Sequence, residues 1–98
     1  MANTHPDGLE ALRAELDDID RHLLGAIRDR MKVAIRIADY KRLHDVPVMQ
    51  PDRMKLIRKR VESFARDNNI DVAFLDGLYN AIFEETCRVE EAVISATK

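Results

Sequence analysis

Tryptophan is absent from this chain, and cysteine occurs once, at Cys87. A single cysteine excludes an internal disulfide, so packing has to hold the fold, and Cys87 itself reads as a small packed residue of a helical apolar pattern. Glycine is also scarce. Three in the whole chain are too few for a glycine-rich loop that cradles phosphate. No apolar run is long enough to span a bilayer, and no signal-peptide pattern opens the chain. A cytoplasmic protein with no membrane partner is the expectation. The formal net charge of -2 argues against a nucleic-acid binder that works by bulk charge. The three histidines, His5, His22 and His44, fall in a tail, on a helix and in a loop. They share no obvious site, no metal-ligand spacing is present, and no nucleophile–base–orienter set is evident. Neither a metal nor a cofactor is expected.

What the chain has is charge and helical periodicity. Charged residues make up 35% and aromatics only 5%, a mixture that suits a helical protein. Leu9, Leu12, Leu16, Ile19, Leu23, Ile27, Ala34 and Ile37 recur at spacings of three, four and seven, the mark of one helix face. The spacing predicts a helix from about residue 8 to Leu43. Such a helix is about 54 Å long, against a radius of gyration of about 13 Å for a compact chain of this size. Its stripe cannot be covered by the shorter helices that follow. An intertwined homodimer is the economical solution.

Residues 1–7 read as a flexible tail, with Asp7 a plausible N-cap, and residues 1–98 as a single domain. Gly25 is tolerable inside the first helix at a cost of about 1 kcal/mol. Pro47 and Pro51 bound a short extended loop. Pro51 suits the first turn of a second helix, with Asp52 near its positive end, running to about Asp67. Asn68 and Asn69 signal a turn, and Asp71 can cap a third helix reaching about Ser95. Leu75, Leu78, Ile82, Val89 and Val93 give that helix an apolar face. The fold class is all-α: three helices, one of them very long.

Cations interrupt these apolar faces. Arg30 occupies a position on the row Leu9, Leu16, Leu23, Ile37 that should be apolar, and Arg13 and Lys41 sit beside the seam. Arg53 stands in the first turn of the second helix, next to the proline-bounded loop. In the basic run from Arg53 to Arg60, Lys55, Lys59 and Arg60 read as a solvated face. A buried cation is costly unless an anion meets it. Each alone is accounted for by an ion pair or a snorkelling side chain; together they point to a pocket for a small dianion. Arg30 and Lys41 are about 16 Å apart along one helix, far enough to grip opposite ends of such a molecule. Thr86 and Glu90, one turn apart, are polar interruptions on the third helix.

These residues, Leu12-Arg13, Ile19-Asp20, Arg30, Lys41, Val46-Pro47-Val48, Arg53, Glu85-Thr86 and Glu90, resemble the all-helical chorismate mutase family over nearly the whole chain. The resemblance implies an intertwined homodimer and an intramolecular rearrangement of a small dicarboxylate, chorismate to prephenate, with no covalent catalysis and no cofactor. It implies that Arg30 and Arg13, the latter reaching in from the partner subunit, bind the carboxylates. Lys41 would donate to the ether oxygen, Arg53 would line the same pocket, and Thr86 matches a small hydroxyl of some members.

Three positions depart from the family pattern. Glu90 replaces a glutamine that donates to the ether oxygen, so it must be protonated to help. Gln50 and Met54 replace an aspartate and a glutamate that hold the C4 hydroxyl of chorismate. The stretches Val48-Met49-Gln50-Pro51 and Glu85-Thr86-Cys87-Arg88 are similar to a subgroup acting on 4-amino-4-deoxychorismate, which is favoured over chorismate as the substrate. An isochorismate-pyruvate lyase and a non-catalytic helical dimerisation module are the alternatives.

Overall fold

The computed structural model describes residues 8–96. The tail, and Asp7 as a cap, lie outside the described residues. Three helices follow one another: α1 (Leu9–Leu43), α2 (Pro51–Asp67) and α3 (Val72–Ala96). Their limits follow from local chemistry. Lys41 and Arg42 occupy the last turn of α1, where cations meet the negative end of the helix. The chain then leaves through Asp45, whose φ is +55°, and the Val46 amide donates back to the Lys41 carbonyl at 2.9 Å. This is the six-to-one bond of a Schellman ending. Asn69 repeats the arrangement after α2, with φ +55° and an Ile70-to-Ala65 bond of 2.8 Å. Both left-handed positions use a short polar side chain, which tolerates them better than most residues.

α2 begins on Pro51, whose fixed φ suits the first helical turn. Gln50 at its N-cap gives no side-chain cap; its amide donates instead to the Pro47 carbonyl at 2.8 Å and ties the loop to itself. α3 is capped as the sequence indicates, the Phe74 amide donating to Asp71 Oδ2 at 2.9 Å. Side-chain caps of this kind contribute about 1 kcal/mol.

The chain divides after Lys32 into two compact units. In the first, the apolar row of α1 is uncovered: Leu9, Leu12, Leu16, Ile19, Leu23 and Leu24 are all more than half exposed. In the second, the end of α1 joins α2 and α3. α2 and α3 pack against each other as an αα-hairpin closed by Asn68–Asp71. The core is made of small side chains, Ala34, Ala38, Val61 and Ala65, and no large residue is fully buried. Among them lies one charged residue, Glu90. No helix among the described residues is long and apolar enough to cross a membrane.

Candidate active site

Three segments meet at Lys41. It lies in the last turn of α1, so its side chain leaves the helix beside the loop that follows. The ammonium donates to the Val48 carbonyl at 2.8 Å and to Glu90 Oε1 of α3 at 2.8 Å. The two side chains are 12% and 6% exposed. An ion pair this dry gains strongly from Coulomb attraction and is costly to break, because removing one partner strands the other charge. Lys41 thus holds the 44–50 loop and α3 at once. Thr86 stands one turn before Glu90, and its hydroxyl donates to the Ile82 carbonyl at 2.8 Å, leaving its lone pairs as acceptors.

A cavity of about 480 Å³, lined by neither member of this pair, opens between the start of α2 and residues 80–91 of α3. Met49, Met54 and Phe83 supply its apolar wall, and Arg58, Glu84 and Cys87 are among its polar lining. The guanidinium of Arg58 donates to Asn80 Oδ1 at 2.7 Å. Cys87 lines the cavity three residues before Glu90 on α3. Partial burial pushes its thiol up from the usual cysteine range; the charges of Glu90 and Glu91 add to this and Lys41 opposes it. At neutral pH it is a protonated, weakly reactive group.

Of the residues the sequence singled out, the structure brings Lys41 and Glu90 into contact and sets Thr86 next to them. Met54 is half-buried and forms part of the cavity wall. Gln50 is turned onto its own loop. Arg53 is exposed and is not among the residues lining the cavity. Arg13 and Arg30 belong to the first unit; Arg13 is exposed, and Arg30 is half-buried and engaged. Sequence reasoning missed Arg58, a member of the basic run to which it gave no role. A signal was present: Met54, Arg58, Val61 and Ala65 follow at four, three and four, one face of α2, and that face packs on α3.

The chain has close relatives. The family described as chorismate mutase type II matches residues 12–91. A 4-amino-4-deoxychorismate mutase of Streptomyces pristinaespiralis is 48% identical over 90 residues, covering 92% of this chain and 70% of that protein. A 4-amino-4-deoxychorismate mutase of Streptomyces venezuelae is 46% identical over 92 residues, 94% of this chain and 89% of that protein. More distantly, a chorismate mutase of Methanocaldococcus jannaschii is 23% identical over 90 residues, 92% of this chain and 91% of that one. With a match over most of its length, and a lysine of α1 held against a buried glutamate of α3, this chain belongs to the chorismate mutase type II family.

Proposed function

We propose that this protein rearranges 4-amino-4-deoxychorismate to 4-amino-4-deoxyprephenate in the cytoplasm, as a homodimer. The observation that carries the choice of substrate is its identity of 46–48% to two proteins that bear that activity in their names. Within one molecule a C–O bond breaks as a C–C bond forms, so the enzyme needs no nucleophile. It has to hold the substrate folded and stabilise negative charge developing on the ether oxygen.

Lys41 is the donor to that oxygen. In the free site its protons go to Val48 and Glu90, so substrate takes the ammonium from a partner already in place. Glu90 then faces the same oxygen, and it assists when protonated and repels when ionised. Arg30 and Arg13 bind the carboxylates, Arg13 from the partner subunit. Arg53, Gln50, Met54 and Thr86 complete the binding surface. The apolar side chains left exposed from Leu9 to Leu24 support the dimer, since a row of that size is unusual on a free monomer.

A side-by-side assay with 4-amino-4-deoxychorismate, chorismate and isochorismate, products identified by mass, tests the reaction. Rearrangement of the first at the highest kcat/KM is expected. Chorismate preferred would correct the substrate, pyruvate release from isochorismate would make the protein a lyase, and no turnover by a folded dimer would leave a dimerisation module. Subunit mixing tests the role of Arg13. Arg13→Ala and Lys41→Ala are each expected to be inactive. Co-refolded, they should restore about a quarter of the wild-type sites, because half the dimers then carry one intact site. No recovery would place Arg13 in its own subunit's site or outside any.

A further inference from the structure

Two acceptors hold Lys41 in the free site. The Val48 carbonyl and Glu90 Oε1 each take one of its protons at 2.8 Å. The Glu90 side chain is 6% exposed, so little water is at hand to replace the lysine if it moves, and a buried charge left alone is costly. When the ammonium turns to the ether oxygen, both acceptors lose part of their donor. An ionised Glu90 also repels the charge growing on that oxygen. A carboxylate is therefore a poor choice here for the rearrangement alone. It becomes a good one when the substrate brings a cation of its own to the same place.

An amino group at C4 is such a cation. Amines on saturated carbon are protonated at neutral pH. C4 neighbours the ring carbon that bears the ether oxygen, so the ammonium stands beside the atom that Lys41 meets. It carries three N–H donors, where the hydroxyl of chorismate has one. Acceptors surround that position: Glu90, the Val48 carbonyl, and the lone pairs left on Thr86, whose own proton goes to the Ile82 carbonyl at 2.8 Å. Gln50 is turned onto its own loop and Met54 offers no charge. Among the residues assigned to the site, Glu90 is the one anion.

We propose that Glu90 is a specificity-determining residue: ionised, it receives the C4 ammonium of the substrate as Lys41 turns to the ether oxygen. The inference rests on the reading of the substrate as 4-amino-4-deoxychorismate. One ammonium takes over from another against a carboxylate that stays buried. A substrate with a hydroxyl at C4 leaves that charge short of a partner and is selected against.

The test is the ratio of kcat/KM for 4-amino-4-deoxychorismate to that for chorismate, in the wild type, Glu90→Gln, Glu90→Asp and Glu85→Gln. Glu90→Gln keeps the shape and an oxygen for Lys41 but removes the charge. Its ratio should fall at least about tenfold, the scale of one charge-assisted hydrogen bond. Glu90→Asp keeps the charge and should retain more of the ratio. Glu85→Gln, which removes an exposed charge from the same helix, should leave the ratio alone. An unchanged ratio in Glu90→Gln, with the wild type still preferring the amine, overturns the inference and spares the substrate reading. Equal losses on both substrates overturn it as well, since they assign Glu90 a part that ignores the C4 group. A Glu90→Asp variant that prefers chorismate does the same, whether or not Glu90→Gln folds. A wild type that prefers chorismate overturns both readings, and that result is visible before any variant is made.

Discussion

α1 is one helix with one apolar pattern, yet its two parts live differently. Up to Lys32 the large leucines and Ile19 stay in solvent while Ile27 and Met31 are half-buried, and charges pair with near neighbours. Arg21 bonds Asp18, and Arg28 bonds Asp29 at 3.0 Å, all four side chains well over half exposed. From Val33 onward the pattern buries only alanines, Ala34 and Ala38, and its cation Lys41 pairs with a residue 49 positions away in a nearly dry setting. Exposed neighbour pairs contribute between about 0 and 1 kcal/mol. Stranding one member of a buried pair costs about 3–5 kcal/mol. The first part of the helix leaves an apolar row exposed. The second is shaped to hold one charge in place.

The sharpest way to break this contrast is to remove that charge. Lys41→Ala leaves Glu90 buried without its cation, and urea unfolding should show a loss of about 3 kcal/mol or more, together with loss of turnover. Lys41→Ala combined with Glu90→Gln should recover part of the stability and none of the activity. If Lys41→Ala unfolds at the wild-type midpoint, the pair is not closed in solution and the two parts of α1 do not differ in kind. Next in size is Glu90→Gln, which exchanges the carboxylate in contact with Lys41 for an amide that can itself donate to a developing negative charge. Turnover should survive this change, and loss of all turnover with the fold intact would make the carboxylate itself necessary.

Much of this was legible in the sequence. α2 begins and ends where Pro51 and the Asn68-Asn69 turn place it, and Asp71 caps α3 through its own carboxylate, because these signals act within four residues. Asn69 in the left-handed region follows from the same turn chemistry; Asp45 doing likewise after α1 carried no comparable mark. Lys41 and Glu90 stood out singly as polar interruptions of apolar faces. Their contact was not legible, since spacing along one helix does not say which residue of another lies opposite. Arg58 was passed over for a related reason: nothing in a run of cations singles one out until the face it shares with Val61 and Ala65 is seen to pack. Arg53 is exposed and outside the cavity lining, one residue round the helix from Met54.

The smallest expected effect comes from the exposed counterpart in the second unit, Glu85 with Arg88. Its geometry is good, two charge-assisted bonds to one guanidinium, better on paper than the single contact of Lys41 with Glu90. The Arg88 guanidinium holds the Glu85 carboxyl below its ordinary range. Because the folded state depresses that value, any stabilisation is present above the ordinary carboxylate range and is lost as pH falls through the lowered one. Both side chains are wet, however, 68% and 46% exposed, so water and salt screen the pair. Glu85→Gln should therefore leave the urea midpoint unchanged at neutral pH and physiological salt. A difference should emerge only at low ionic strength and vanish on acidification. Should Glu85→Gln destabilise as much as Lys41→Ala, burial is not what separates strong from weak pairs here, and number of bonds is.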